Sequence, residues 1–152
     1  MPLSHIIIRS AMPADVNDIR ACAQAAYQHY IVRMNQTPAP MIADFEHCIA
    51  KGMASIATSE NKTVGYVVCY AKNDGMHLEN VAVLPSHQQL GIGKKLIQHV
   101  EQLAAASGLS RVELYTNETM HENLAMYPKL GYVETNRKTQ SGFNRVFFSK
   151  AV

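Results

Sequence analysis

The chain opens with a short β-branched run, "HIIIRSA" at residues 5–11, that suits a strand. The apolar positions then change period. Pro13, Asp15 and Asp18 suit a helix start, and Val16, Ile19, Ala23 and Ala26 recur at helical spacing. The stretch "MNQTPAP", with two prolines, interrupts that pattern as a loop, and a second helix is expected over about residues 42–51. "MASIATSE" and "TVGYVVCYAK" read as strands separated by a turn around Asn61. "NDG" at residues 73–75 is a hairpin signal leading into "MHLENVAVLP", so three consecutive antiparallel strands are expected.

From Ile92 onward Leu96, Ile97, Val100, Leu103 and Ala104 again follow a helical period, with a stop at Ser107-Gly108. "SRVELYT" reads as a strand, "MHENLAMYPKL" as a short helix, and "GYVETNRKTQSGFNRVFFSK" as two strands joined at residues 140–142. The predicted order is β-α-α-β-β-β-α-β-α-β-β. That order describes an α/β (α+β) chain whose mixed sheet carries helices on both faces.

At 152 residues, without repeats or a linker, the pattern predicts one domain over residues 1–152. Apolar residues make up 47% of the chain, charged ones 17%, and the formal net charge is +2. That balance gives no electrostatic reason to expect nucleic acid as a partner. No stretch approaches the roughly 20 apolar residues of a membrane span, and the opening "MPLSHIIIRS" has no long apolar run after a basic segment. Cys22, Cys48 and Cys69 are odd in number and lack metal-ligand spacing, so no disulfide framework and no metal site is expected. A reducing, cytoplasmic location fits.

The stretch that calls for chemistry is "LPSHQQLGIGKKLI". Glycine costs a helix about 1 kcal/mol relative to alanine, yet Gly91 and Gly93 stand where an amphipathic helix begins. A helix start presents unpaired N–H groups and the positive end of the dipole, and bare backbone lets phosphate oxygens reach them. Two familiar phosphate loops do not fit. A Walker A loop needs glycine at Gln88 and Ser or Thr at Lys95, and a dinucleotide fingerprint needs glycine at Leu96. A tight strand-to-helix turn with glycines for packing is the alternative.

The fuller string "ENVAVLPSHQQLGIGKKLI" resembles the acetyl-coenzyme A signature of the GNAT superfamily of N-acetyltransferases. A strand ends V-x-P at Val83-Leu84-Pro85, and Gln88-x-x-Gly91-x-Gly93 opens a helix. A second string, "NLAMYPKLGYVE", is similar to that superfamily's last helix and following strand, with Tyr127, Lys129, Gly131 and Tyr132 in the matching places. The chain departs from the pattern at Met120, where many members carry an asparagine seven residues before the tyrosine.

The resemblance implies a GNAT-like, mostly antiparallel sheet of six to seven strands flanked by about four helices. It also implies acetyl-CoA as the acetyl donor. Val81, Ala82 and Val83 would lend main chain to the pantetheine arm as an added strand does. The segment Gln88, Gln89, Leu90, Gly91, Ile92, Gly93 and Lys94 would hold the pyrophosphate, with charge from Lys94 or Lys95. Asn123 is the first choice to hydrogen-bond the pantetheine in place of the missing asparagine, being one helical turn before Tyr127, and Asn117 is the second. Tyr127 would protonate the departing thiolate.

Acetyl transfer to an amine also needs a base, because aliphatic amines are protonated at neutral pH. Glu79 is the leading candidate, and strand alternation puts His77, Glu79, Val81 and Val83 on one face, so His77 competes with it. The amide near Val81 would polarise the thioester carbonyl. Tyr27, Tyr30 and Phe45 belong either to the acceptor pocket or to the core, and Cys22 and Cys69 are read as small buried apolar residues.

Together these readings predict an N-acetyltransferase acting on a primary amine of a small molecule by direct attack in a ternary complex. A protein or peptide amine acetyltransferase is the runner-up, and a non-catalytic CoA-binding sensor module is the alternative from another class. A homodimer through an exposed edge strand or through the "VFF" segment is a further expectation.

Overall fold

The computed structural model describes residues 5–152. The first four positions of the opening segment lie outside the described residues. Seven strands form one sheet: β1 (Ile6–Ser10), β2 (Ala54–Ser59), β3 (Lys62–Lys72), β4 (Gly75–Val83), β5 (Arg111–Asn117), β6 (Val133–Gln140) and β7 (Phe143–Ala151). Their order is β1-β2-β3-β4-β5-β7-β6. The β1–β2, β2–β3, β5–β7 and β6–β7 pairs are antiparallel, while β4 and β5 run parallel. The α-helices among the described residues are α1 (Val16–Tyr27), α2 (Tyr30–Met34), α3 (Phe45–Ala50), α4 (Ile92–Ala106) and α5 (His121–Lys129). Two-residue turns between strands use left-handed backbone at Glu60 and Asn61 (φ 52° and 66°) and at Ser141 and Gly142 (φ 51° and 81°). Such turns match the twist of the strands they join.

The pattern anticipated two helices before β2, and the structure has three. After α1 the chain re-enters a helix at Tyr30, which ends at Asn35 with φ 54°. Pro38 then leads into a 3-10 turn over Ala39–Ile42. The helix expected over residues 42–51 begins only at Phe45, because Asp44 accepts the backbone N–H of His47 at 3.1 Å and so fixes the start.

The chain folds as two compact units. Among the described residues the first comprises 5–69 and Asn80–His99. Its core is built from Ile19, Ala23, Phe45, Ile56, Val64, Tyr66 and Leu96, all fully buried, with Phe45 set edge-on to Tyr66 at 5.4 Å. The second comprises Tyr70–Glu79 and Val100–Val152. Here Val100, Ala104, Val112, Leu114, Val146 and Phe148 are buried, together with Tyr127 and Tyr132.

The "VFF" segment lies within β7, between β5 and β6, with Val146 and Phe148 in the core. The sheet edge on that side is β6, exposed along its whole length and carrying the Glu134–Arg137 ion pair. Charges of this kind discourage edge-to-edge pairing.

Candidate active site

The end of β4 and the start of α4 belong to the first unit. Pairing with β5 runs from Gly75↔Arg111 to Leu78↔Leu114, whereas β4 continues to Val83. The peptide groups beyond Leu78 therefore lie outside the β5 ladder. Along this stretch Asn80 and Ala82 are buried, while Glu79, Val81 and Val83 are half-buried. Tyr27 donates its phenolic hydrogen to the carbonyl of Val81 at 2.8 Å, and the N–H of Leu84 donates to Val64 at 2.8 Å. Both contacts fix how the strand end is presented. Asn80 Oδ1 is buried without a hydrogen-bond partner.

A 3-10 turn over Pro85–His87 then leads into the glycine stretch. The side-chain amide of Gln88 reaches back to the carbonyl of Val83 at 3.1 Å. Gln89 and Gly91 have φ of 65° and 86°, so Gly91 has a conformational reason to be glycine. Gly93 has none. A Cβ built there would meet only Val83 Cγ2 at 3.8 Å, an ordinary contact. Lys95 N–H donates to Gly91 O at 3.1 Å, leaving the amides of the first turn ahead of the helix ladder. Gln88, Gln89, Gly91 and Lys94 are exposed, Leu90 and Gly93 half-buried, and Ile92 anchors the turn in the core. Bare, exposed backbone at a helix start has the donor chemistry that a pyrophosphate requires.

The residues expected to handle protons, His77, Glu79 and Tyr127, lie in the second unit. His77 Nε2 and Glu79 Oε2 are 2.8 Å apart, so the two side chains share a face as alternation predicts. Tyr70 donates its hydroxyl hydrogen to the same carboxylate oxygen at 3.3 Å. The bond from His77 holds the Glu79 carboxyl below its ordinary range, against a desolvation that raises it. His77 is buried and lies between the rings of Tyr70 and Tyr115, at 5.2 Å and 5.7 Å. Burial and the neighbouring Glu79 push the Tyr115 phenol up, opposed by Arg145.

The asparagines expected near the pantetheine differ in their commitments. Asn117 Oδ1 accepts from both the N–H and the hydroxyl of Thr119, at 3.0 Å and 2.8 Å, which closes the turn into α5. Asn123 lies on α5 and uses its amide nitrogen to reach Thr116 Oγ1 at 3.1 Å and the sulfur of Met120 at 3.6 Å. Its carbonyl oxygen is left for another donor. Met120 fills the position of the missing asparagine as a buried residue, and Thr116 donates its hydroxyl hydrogen to the Met120 sulfur at 3.4 Å. Tyr127 is 3% exposed, and its ring packs on Tyr132 and Phe148 with centroids 5.6 Å and 5.7 Å away.

Burial pushes the Cys69 thiol up to about 11 and the Cys22 thiol to about 12, which removes both as nucleophiles at neutral pH. Tyr30 and Phe45 are core residues, whereas Tyr27 combines burial with the bond to Val81. Tyr70, Tyr115 and Arg145 went unremarked in the sequence. Period-two alternation along β3, β5 and β7 marks them as face residues, but only the pairing of β4 with β5 brings Tyr115 beside His77.

The fold has close counterparts among solved structures. The PaiA N-acetyltransferase from Thermoplasma acidophilum, in complex with coenzyme A, superposes with a TM-score of 0.79 at 14% identity, over 97% of this chain and 99% of that one. A GCN5-related N-acetyltransferase from Rhodopseudomonas palustris gives 0.78 at 24% identity, over 100% and 99%. The ribosomal-protein-S18-alanine N-acetyltransferase from Escherichia coli gives 0.75 at 17% identity, over 97% and 94%. The family model described as the acetyltransferase (GNAT) family matches residues 16–132. That range takes in the whole first string, with the end of β4 and the glycine stretch after it, and the second string as far as Tyr132. The chain thus belongs to the GNAT acetyltransferase family, whose members are acyltransferases that use acetyl-CoA.

Proposed function

We propose that residues 1–152 work as one cytoplasmic acetyltransferase domain that moves acetyl from acetyl-CoA to a primary amine of a small molecule, by direct attack in a ternary complex. The observation that carries this reading is the end of β4, which continues to Val83 past its pairing with β5 and is followed at the start of α4 by a glycine, Gly93, that the chain's own packing does not require. The main chain of Val81, Ala82 and Val83 binds the pantetheine arm. The amides from Gln88 to Lys94 hold the pyrophosphate, and Asn123 accepts a hydrogen bond from the arm through its carbonyl oxygen. Tyr27 orients this strand end through its bond to Val81.

In the transfer step the amine nitrogen bonds to the thioester carbon and the carbon–sulfur bond breaks. Val81 N–H donates to the carbonyl oxygen and stabilises the charge that grows there. Glu79, coupled to His77, takes the proton that the amine gives up. Tyr127 donates its phenolic proton to the leaving sulfur.

The pH profile of kcat/KM separates the two basic groups. A base must be unprotonated, so the rate rises with pH through its pKa. Hydrogen bonds hold Glu79 below its ordinary 4.5, so a limb that belongs to Glu79 lies under that value and vanishes in Glu79→Gln. A limb at higher pH that disappears in His77→Asn identifies the imidazole as the base. A limb that tracks the pKa across a series of amines reports the acceptor itself and removes both residues from this role.

The reading as a whole is tested by acetyl-CoA-dependent thiol release across amines, aminoglycosides, polyamines, amino acids and peptides. Thermal unfolding is measured in parallel. A ligand at a hundredfold excess over Kd adds about 2.7 kcal/mol of stability, so acetyl-CoA should raise the midpoint and NAD or ATP should not. Turnover of peptides alone would transfer the assignment to a protein amine, the acceptor class of the Escherichia coli ribosomal-protein-S18-alanine N-acetyltransferase. A midpoint shift without turnover of any amine would favour the CoA-binding module.

A further inference from the structure

In the second unit, β5, β6 and β7 bring two cations together on one face. Arg145 pairs with Asn117 on one side and directly with Lys138 on the other. Like charges facing each other across a ladder repel, so the pairing is unfavourable unless an anion sits with it. Among the described residues neither Arg145 nor Lys138 joins an ion pair, and the Glu79 carboxylate, which feels the charge of Arg145, makes its short contacts to His77 and Tyr70 instead. The nearby Glu118 carboxylate is bound instead by the side-chain amide of Asn144 at 2.9 Å.

Arg145 is nevertheless held in place. Its guanidinium lies 4.2 Å from the ring centroid of Tyr115 and 5.6 Å from that of Phe143, and one N–H donates to Gln140 Oε1 at 2.9 Å. Aromatic contacts cover the faces of a guanidinium and leave its edge, a planar fork of donors, for a carboxylate. The Tyr115 ring under Arg145 is the one beside His77, which bonds Glu79. A positioned anion receptor and the proposed proton acceptor thus share one aromatic surface.

We propose that the acceptor is an aminocarboxylate, its carboxylate bound in the fork of Arg145 with Lys138 as the second cation, and its amine delivered to the His77–Glu79 pair. This deepens the small-molecule reading given above and rests on it. Binding neutralises the facing cations, and the stacked guanidinium gives up little freedom when the carboxylate arrives.

The test compares amines of matched length with and without a carboxylate: 4-aminobutyrate against butylamine, and β-alanine against propylamine. The expected result is a higher kcat/KM for the aminocarboxylate of each pair, carried mainly by KM. In Arg145→Gln that preference should fall by about tenfold or more, since hydrogen bonds to charged groups are worth about that factor each. Arg145→Lys should recover part of it, and Lys138→Gln should cost less than Arg145→Gln. Equal kcat/KM within each pair overturns the proposal, as does a preference that Arg145→Gln leaves intact. So does a larger preference for phosphoethanolamine, which would make phosphate the bound group.

A titration followed by NMR separates this proposal from the one beneath it. The Nε–H resonance of Arg145, identified by its loss in Arg145→Gln, should move with 4-aminobutyrate and not with butylamine. Movement without turnover of any amine keeps the anion site and overturns the acetyl acceptor reading. Turnover without movement keeps the transferase and overturns the anion site.

Discussion

Tyr127→Phe is expected to bind acetyl-CoA as the parent chain does and to lose about 10²–10⁴-fold in kcat, the usual contribution of a positioned general acid. The variant removes the phenolic hydroxyl and keeps the ring. The ring is 3% exposed and lies against Tyr132 and Phe148, and phenylalanine keeps both contacts. Alanine would be the wrong probe, because emptying such a site costs about 3–5 kcal/mol and mixes lost stability with lost chemistry. The measurement is single-turnover thiol release at saturating donor, with calorimetric titration of acetyl-CoA beside it. Near-parent turnover in the variant would make Tyr127 a packing residue. A loss of donor affinity equal to the loss of rate would make its hydroxyl a binding group rather than an acid.

The second large effect is expected at Gly93. Gly93→Val should leave the stability of the ligand-free chain within about 1 kcal/mol, because valine is no worse a helix former than glycine. The added Cβ also makes only an ordinary contact with Val83. Affinity for coenzyme A should fall by about a hundredfold, the cost of losing two charge-assisted hydrogen bonds to phosphate. Gly91→Ala supplies the contrast. Gly91 has φ 86°, so alanine there strains the turn and lowers stability with or without a ligand. Denaturant melts and titrations of both variants give the comparison. A Gly93→Val chain that loses stability and keeps its affinity would show that the glycine serves packing.

Much of this architecture is legible along the chain because each local signal agrees with its neighbours. The hairpin signal at residues 73–75 sits between the two runs that form β3 and β4, and the strands meet there. Ser107-Gly108 marks the end of α4 to within a residue. Face assignments also follow from alternation, and the bond between His77 and Glu79 obeys them. What alternation does not carry is partnership. The contact of Tyr27 with Val81 spans 54 positions, and the stacking of Arg145 on Tyr115 depends on β7 returning beside β5. No local period records either one. The short helix α2 escaped for a different reason: five residues complete barely more than one turn, too few for a period to declare itself. The turn that Asn117 closes with Thr119 is likewise a contact that helical spacing does not record.

The parting of β4 from β5 after Leu78 bears on how such a protein can age. A donor held by peptide groups is indifferent to which side chains hang from them, provided none is a proline and none blocks the way. Substitutions can therefore accumulate along Val81, Ala82 and Val83 under the weak constraint of burying one face. Selection is free to act instead on residues that would meet the acceptor, the role proposed for Arg145. A lineage built this way can exchange one acceptor for another while its donor stays the same.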